Sequence, residues 1–450
     1  MSLIIPANTL ASGGYEVDNS CRFNIGSSDH LTRSLGGSPT STRKATWSYW
    51  VKRSTLTSSA SEMIYSNEVA DDNNRGYIQF EDNDSFRMVD SVSSTQLKTN
   101  RLFRDVGAFY HICFAIDTTQ GTAANRIKLY VNGVQETSFA TASYPSQNDD
   151  LKILTGGQTN KQHISKVHGG AGYFGGYLSE FVFIDGLQLD PTSFGEFDED
   201  SGIFKPIDVS GLTFGTNGFY LDFEDSSALG NDAAGSNNFT VNNLTAIDQS
   251  TDTCTNNFAT LNPLTKSSAT FSEGNLKQGG AGASAVATFG VSSGKWYFEQ
   301  KILGGNNEAH LGFALEGSGI FSDNVTGSTV RGAGYVSLYS YDGKIYNEGS
   351  ATASFGTFAA NNIIGFALDV DNGNVYLYQN GSVLNSGNAV VSGKTGKTWF
   401  PFANFDAGDV TGIEHNFGGT QSFAISSGNA DGDGYGNFEY AVPSGYYSLN

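Results

Sequence analysis

The chain has 450 residues, with 25 Lys and Arg against 45 Asp and Glu and a formal net charge of −20. Only 16% of residues are charged, well under the roughly 25% of an average soluble domain, so Ser, Thr, Asn, Gln and Gly must build the polar surface. The acidity argues against general binding to phosphate backbones or anionic membranes. The 38% hydrophobic content is too high for global disorder.

Residues 1–17 read as an N-terminal arm. They carry no basic residue ahead of their short apolar patch, so no secretion signal is expected. No run approaches the length of a membrane span, and no heptad shaft appears. Strand signals then follow one another. Trp47-Ser48-Tyr49-Trp50-Val51 and Tyr77-Ile78-Gln79-Phe80 come first. His111-Ile112-Cys113-Phe114-Ala115-Ile116 is continuously apolar, as in a strand covered on both faces, whereas Arg126-Ile127-Lys128-Leu129-Tyr130-Val131 alternates like a half-buried strand. Asn132-Gly133 predicts a tight hairpin, and Asp185-Gly186, after Phe181-Val182-Phe183-Ile184, predicts a second. Pro191 begins one short helical turn with Asp190 as its cap.

From 201 to 268 the pattern loosens into Asn, Asp, Ser and Thr. Gly218-Phe219-Tyr220-Leu221-Asp222-Phe223 and Phe239-Thr240-Val241 survive as apolar pieces, so an ordered bridge is expected here. A second β-rich block over 269–425 carries short strands spaced by Asp342-Gly343 and Asn380-Gly381. A Gly- and Tyr-rich tail occupies 426–450. The fold class expected is all-β: two antiparallel, jelly-roll-like β-sandwiches, at 18–200 and 269–425, joined by the bridge.

Three cysteines, Cys21, Cys113 and Cys254, are odd in number and widely spaced. They offer neither a zinc spacing nor a disulfide framework and read as small buried residues from a reducing compartment.

The second block resembles a SPRY (B30.2-type) domain. The resemblance rests on Ser293-Gly294-Lys295-Trp296-Tyr297-Phe298-Glu299, His310-Leu311-Gly312-Phe313-Ala314, Tyr339-Ser340-Tyr341-Asp342-Gly343-Lys344, Asn362 to Asp369 with Tyr378-Gln379-Asn380-Gly381, and Phe400-Pro401-Phe402. It implies a bent sandwich that binds through loops at one end without catalysis. The first block resembles the laminin-G-like branch of the concanavalin A-like jelly rolls. Here the residues are Ala45 to Val51, Phe109 to Ala115, Leu129-Tyr130-Val131-Asn132-Gly133-Val134 and Gly176-Tyr177-Leu178-Ser179-Glu180-Phe181. The pairing of these domains, with Asn256-Asn257-Phe258-Ala259-Thr260-Leu261-Asn262-Pro263 and the Pro-Ser-Gly-Tyr tail, is similar to virion proteins of tailed phages, marine ones among them. That resemblance implies a protein made in host cytoplasm and used on the virion, at the tail or on the capsid. Its partners would be other virion proteins and host-surface polysaccharide, with no nucleic acid and no membrane insertion. A homo-oligomer, a trimer as first expectation, follows from the same likeness.

Concanavalin A-like folds include glucanases, so a retaining carboxylate pair is the enzyme signature to seek. The nearest string, Glu196-Phe197-Asp198-Glu199-Asp200, has Ser201 where the last Glu would stand, and no enzyme is expected. Asn429-Ala430-Asp431-Gly432-Asp433-Gly434 spaces oxygens as calcium loops do, which makes Asp431 and Asp433 candidate metal ligands. The loop's twelfth position is Tyr440, with Glu439 one short; no cofactor other than such a calcium is expected. Asp369, Asp371 and Asn374 form a weaker set that also fits a hairpin turn. The glycine runs at 169–172 and 279–282 lack a following Lys-Ser/Thr, so phosphate-loop readings fail. His30, His111, His163, His168, His310 and His415 are scattered; His111 and His310 lie in strand runs and read as hydrogen-bonded core histidines. Trp47, Trp50, Trp296 and Trp399 sit within strand motifs and read as core. Tyr339, Tyr341 and Asp342, at a turn, are the ligand-binding candidates. The function expected is non-catalytic adhesion to host-surface glycans, with a purely structural virion role as the alternative and glycoside hydrolysis a remote third.

Overall fold

The computed structural model describes residues 14–56, 60–67, 75–155, 161–167, 172–267, 269–280, 284–304, 308–319, 329–405 and 412–450. It holds 42% strand against 6% helix, where an average domain is about a third helix. The all-β class built from antiparallel sandwiches is therefore what the chain adopts. The chain divides into two compact units between Asn256 and Asn257.

The first unit is built on two eight-stranded sheets. In the first sheet the long strand Lys44–Arg53 lies between Tyr110–Asp117 and Gly176–Asp185. The second sheet includes Glu62–Asn67, Gly76–Phe80, Ser85–Asp90 and Thr95–Leu102. Alternation sends Trp47, Tyr49 and Val51 into the core between the sheets, where they join Tyr65, Ile78 and Phe80. Trp47 lies 4.7 Å from Phe183 and 5.3 Å from Tyr65, centroid to centroid. Each large side chain buried in this way contributes about 1.5–3 kcal/mol.

The residues between these core positions form other clusters. Cys113, Val182 and Ile184 pack with Phe194, Val209 and Tyr220, and Trp50, Phe109 and Tyr177 pack with Phe204. The apolar run His111–Ile116 is thus covered on both faces, the second cover coming from residues after Asp185. Two buried ion pairs, Arg22 to Asp248 at 2.8 Å and Lys52 to Asp252 at 2.9 Å, fasten the end of this covering segment. The segment also adds strands. Phe219–Leu221 pairs with Gly176–Asp185, Thr240–Asn242 with His30–Ser34, and Gln249–Ser250 with Ser20–Phe23. The stretch read from sequence as a bridge over 201–268 is accordingly shared out: its residues to Asn256 belong to the first unit, and Leu261–Ser267 is a strand of the second.

Asn132 and Gly133, with φ of +49° and +77°, make the expected hairpin from Ile127–Val131 to Val134–Gln135. Asp190 caps the Pro191–Ser193 turn by accepting the Thr192 N–H. Asp185-Gly186 does not make a hairpin, contrary to the expectation. The Asp185 carboxylate instead accepts the backbone N–H groups of Thr40 and Asn217 at 2.8 and 3.0 Å, and the chain leaves the sheet to pair Gly195–Phe197 with Phe204–Pro206.

The second unit has two seven-stranded sheets. One includes Trp399–Phe405, Ala309–Leu315, Tyr335–Tyr339 and Lys344–Asn347 in spatial order; the other includes Ile413–Asn416, Lys295–Ile302, Ile363–Asp369 and Asn374–Gln379. Phe298, Phe313, Phe366 and Trp399 meet in the core between them. Asn380-Gly381 is a tight hairpin, with φ of +47° and +79°. The tail over 426–450 is packed: Phe438 and Tyr446 cluster with Tyr297 and Ala367, and Ala259 donates its N–H to the Leu449 carbonyl.

Candidate functional site

The Tyr335–Tyr339 strand turns through Ser340–Gly343 into Lys344–Asn347, and the register sets His310 beside Tyr339 and Tyr339 beside Lys344. Side chains two apart share a face, so Ser337, Tyr339, Lys344 and Tyr346 stand together. The turn separates the three candidate residues. Tyr341 is 54% exposed at the tip, Asp342 is half-buried, and Tyr339 is 8% exposed.

Tyr339 is the hub. His310 stacks on it with centroids 4.5 Å apart and planes 9° from parallel, and the Arg331 guanidinium lies 4.2 Å from its centroid. Arg331 also reaches the Tyr346 ring at 5.5 Å and donates from Nε to His310 Nε2 at 3.3 Å. Tyr341 leans on Tyr339 at 5.9 Å. Burial, with the Arg331 charge beside it, pushes the His310 imidazole down to about 3, so His310 is neutral and accepts from Arg331. Asp342 bonds Lys344 Nζ at 2.6 Å and accepts the Lys344 backbone N–H at 3.0 Å. Burial works against the Asp342 carboxylate, but these bonds prevail and hold it below its ordinary value.

The arrangement offers an exposed flat ring, a carboxylate beside it, and a guanidinium held by two rings. An exposed ring can cover an apolar C–H face of a ligand, and a carboxylate or guanidinium can accept from or donate to its hydroxyls. His310, Arg331 and Tyr346 were not among the sequence candidates. The Asp342-Gly343 turn could have placed Tyr346 on the face of Tyr339. Arg331 lies in the short turn Thr329–Arg331, outside any periodic pattern.

The remaining sequence candidates are engaged elsewhere. Asp198 accepts from the Ser201 N–H and Oγ, both at 2.9 Å, and from Lys205 Nζ at 3.3 Å. The Ser201 bonds first, then Lys205, hold it down to about 2. Glu196 lies 3.4 Å from the same Lys205. Asp431 accepts from the N–H of Asp433 and of Tyr435 on one oxygen, and from the N–H and Oγ of Ser448 on the other. Asp433 is exposed. Asp369 accepts from Asn372 and faces Lys295, and Asp371 accepts the Gly294 N–H. Among the described residues, no three His, Cys, Asp or Glu side chains converge as a metal site. Trp47 and Trp399 are fully buried, Trp50 is buried under Phe204, and Trp296 is half-buried with its indole N–H on the Ser293 carbonyl. His111 and His415 are buried and held neutral by that burial. His168, residues 169–171 and residues 281–282 lie outside the described residues.

Residues 26–187 match the family model of the concanavalin A-like lectin/glucanases superfamily, of laminin G type. Similar solved structures include the SPRY domain of human HERC1, at 16% identity over 36% of this chain and 99% of that one, with a TM-score of 0.30. The TRIM65 PSpry domain is 12% identical over 35% of this chain and 91% of that one, with a TM-score of 0.29. A Bacteroides ovatus protein described as carbohydrate binding is 14% identical over 51% of this chain and 60% of that one, with a TM-score of 0.35. No curated protein matches the chain.

Proposed function

We propose that this chain is a non-catalytic adhesion protein of a tailed-phage virion surface that binds host-surface glycans. The observation that carries the glycan reading is the lectin/glucanase match over residues 26–187. The one glucanase-like string in the sequence is spent on a turn, with Asp198 bonded to Ser201 and Lys205, which favours binding over hydrolysis. The Tyr341–Asp342 hairpin is the contact we assign in the second unit. The virion setting rests on the pairing of domain types read from the sequence. A shallow ring-and-carboxylate site binds weakly alone, and a homo-oligomer, a trimer first, would multiply it by roughly 10²- to 10⁴-fold through avidity.

A second reading, structural docking onto other virion proteins, is favoured by a separate feature. Val134, Ile203 and Phe197 are 60%, 55% and 47% exposed, and the Val134 hairpin abuts the Phe197–Phe204 pairing at Gly133. Such an apolar edge suits a protein partner.

The test incubates purified protein with host envelope polysaccharide and follows retention and reducing-end release together. Retention without release is expected. Reducing ends that grow with time would overturn the non-catalytic reading, and firm binding to virion proteins without glycan retention would transfer the function to the second reading.

A further inference from the structure

We infer that Lys52 and Asp252 condense into an intramolecular isopeptide bond that ties the end of the covering segment to the first sheet. Lys52 stands on the central strand Lys44–Arg53. Its Nζ lies 2.9 Å from Asp252 Oδ2, and both side chains are 1% exposed. The rings of Phe109 and Tyr177 flank Nζ at 5.8 Å each. The amine and the carboxyl carbon are therefore held side by side in a buried enclosure, which replaces an encounter in solution by a standing juxtaposition.

The residue type supports this reading. Among the described residues, the other buried cations of this unit that face carboxylates are arginines: Arg22 on Asp248, and Arg53 on Glu62 and Asp84. A guanidinium stays charged and is no nucleophile. Burial pushes the Lys52 amine down, toward its neutral form, with Asp252 opposing. A buried ion pair is costly to desolvate, and the shift of a proton from Lys52 to Asp252 relieves that cost by leaving an amine and a carboxylic acid.

The step then balances within the pair. The Nζ lone pair attacks Cγ of Asp252 and the N–C bond forms. The Cγ–OH bond breaks, the hydroxyl takes a proton from nitrogen, and one water leaves. No oxidant, reductant or cofactor enters. The product joins residues 200 positions apart. It would provide a covalent tie in a chain whose three cysteines are all free, and it would be indifferent to reducing conditions.

The test is the intact mass of the purified, reduced full chain, followed by tryptic mapping. The expected mass is lower than the sequence mass by one water. A branched peptide should join Ala45–Arg53, uncleaved after Lys52, to the peptide that contains Asp252. Lys52→Ala and Asp252→Ala chains should each return to full mass. A wild-type chain that keeps its full mass after prolonged incubation in the folded state overturns the inference, as does water loss that persists in either variant or maps to other residues.

Discussion

The carboxylate of Glu299 accepts the backbone N–H of Tyr440 at 2.9 Å across 141 positions of sequence, and that of the neighbouring Glu439 at 3.0 Å. Tyr297 Oη and Asn416 Nδ2 complete its set at 3.2 Å each. One buried side chain thus supplies acceptors for main-chain donors of the tail. Replacement by Ala strands those donors at roughly 1–3 kcal/mol each. Glu299→Ala should therefore loosen the tail and lower stability by about 2–6 kcal/mol, read as earlier proteolysis near residue 440 and a lower denaturation midpoint.

The same residue sets a pH dependence. Burial raises the Glu299 carboxyl from 4.5 to about 6, although the Tyr440 and Glu439 bonds oppose the rise. The folded-state value lies above the unfolded one, so this contribution is full below about pH 4.5 and is lost as pH rises through 6. Glu299→Gln, which cannot titrate, should lose less stability between these limits than the wild type. Urea midpoints on either side of the window decide it; equal slopes for the two proteins would refute the assignment.

Strands and hairpins were legible where local signals suffice. Asn132-Gly133 and Asn380-Gly381 demand left-handed backbone at both turn positions, and alternation in Ile127–Val131 marks a half-buried strand. The covering segment was less legible because its strands Phe219–Leu221 and Thr240–Asn242 are only three residues long. Its anchors, Asp248 and Asp252, meet cations more than 190 positions away. The Tyr339–Asp342 hairpin was visible as a turn. The stack of His310 on Tyr339 depends on strand register between separate segments, which a sequence pattern does not encode. Asp185-Gly186 misled because an Asp-Gly pair is equally suited to a strand exit where the carboxylate caps other segments.

Arg53 is the second test of buried charge. It holds Asp84 at 3.0 Å, the Phe103 carbonyl at 2.9 Å and Glu62 at 3.3 Å, and its guanidinium lies 4.5 Å from the Phe80 ring centroid. Arg53→Met removes the guanidinium facing Glu62 and a cation from Asp84, which Arg104 also faces. The expected loss is about 3–5 kcal/mol. Arg53→Lys should recover only part of it, because a compact ammonium lacks the two spaced nitrogens with which the guanidinium reaches Asp84 and Glu62 separately. Full recovery with Lys, measured by denaturant midpoints, would show that charge alone matters there.

Calcium at Asp431 and Asp433 can be tested directly. Four donors already occupy the Asp431 oxygens, at 2.7 to 3.0 Å, and a cation would have to displace them. The thermal midpoint should be the same in excess calcium and in chelator. Asp431→Ala should lower it in both, through a stability loss of roughly 1–3 kcal/mol as the hydrogen bonds to Tyr435 and Ser448 go. A midpoint that climbs with calcium in the wild type and not in Asp433→Asn would establish a site instead.

Glycan contact at the hairpin separates Tyr341 from Tyr339. Tyr341 is 54% exposed, and Tyr339, at 8%, lies against both His310 and Arg331. Tyr341→Ala removes an exposed ring and should change stability by less than about 0.5 kcal/mol. If that ring carries the sugar face, retention on host polysaccharide should fall at least about tenfold, the equivalent of ~1.4 kcal/mol. Tyr341→Phe keeps the flat face and should retain most binding. Tyr339→Ala should instead destabilise the second unit by about 3–5 kcal/mol, since it removes the ring on which the mutually bonded His310 and Arg331 both pack. The comparison is made on one protein preparation at fixed ionic strength, with retention and unfolding midpoint measured on the same samples. Unchanged retention in Tyr341→Ala, with the fold intact, would remove this hairpin from the binding surface and leave the first unit as the place to look for the glycan.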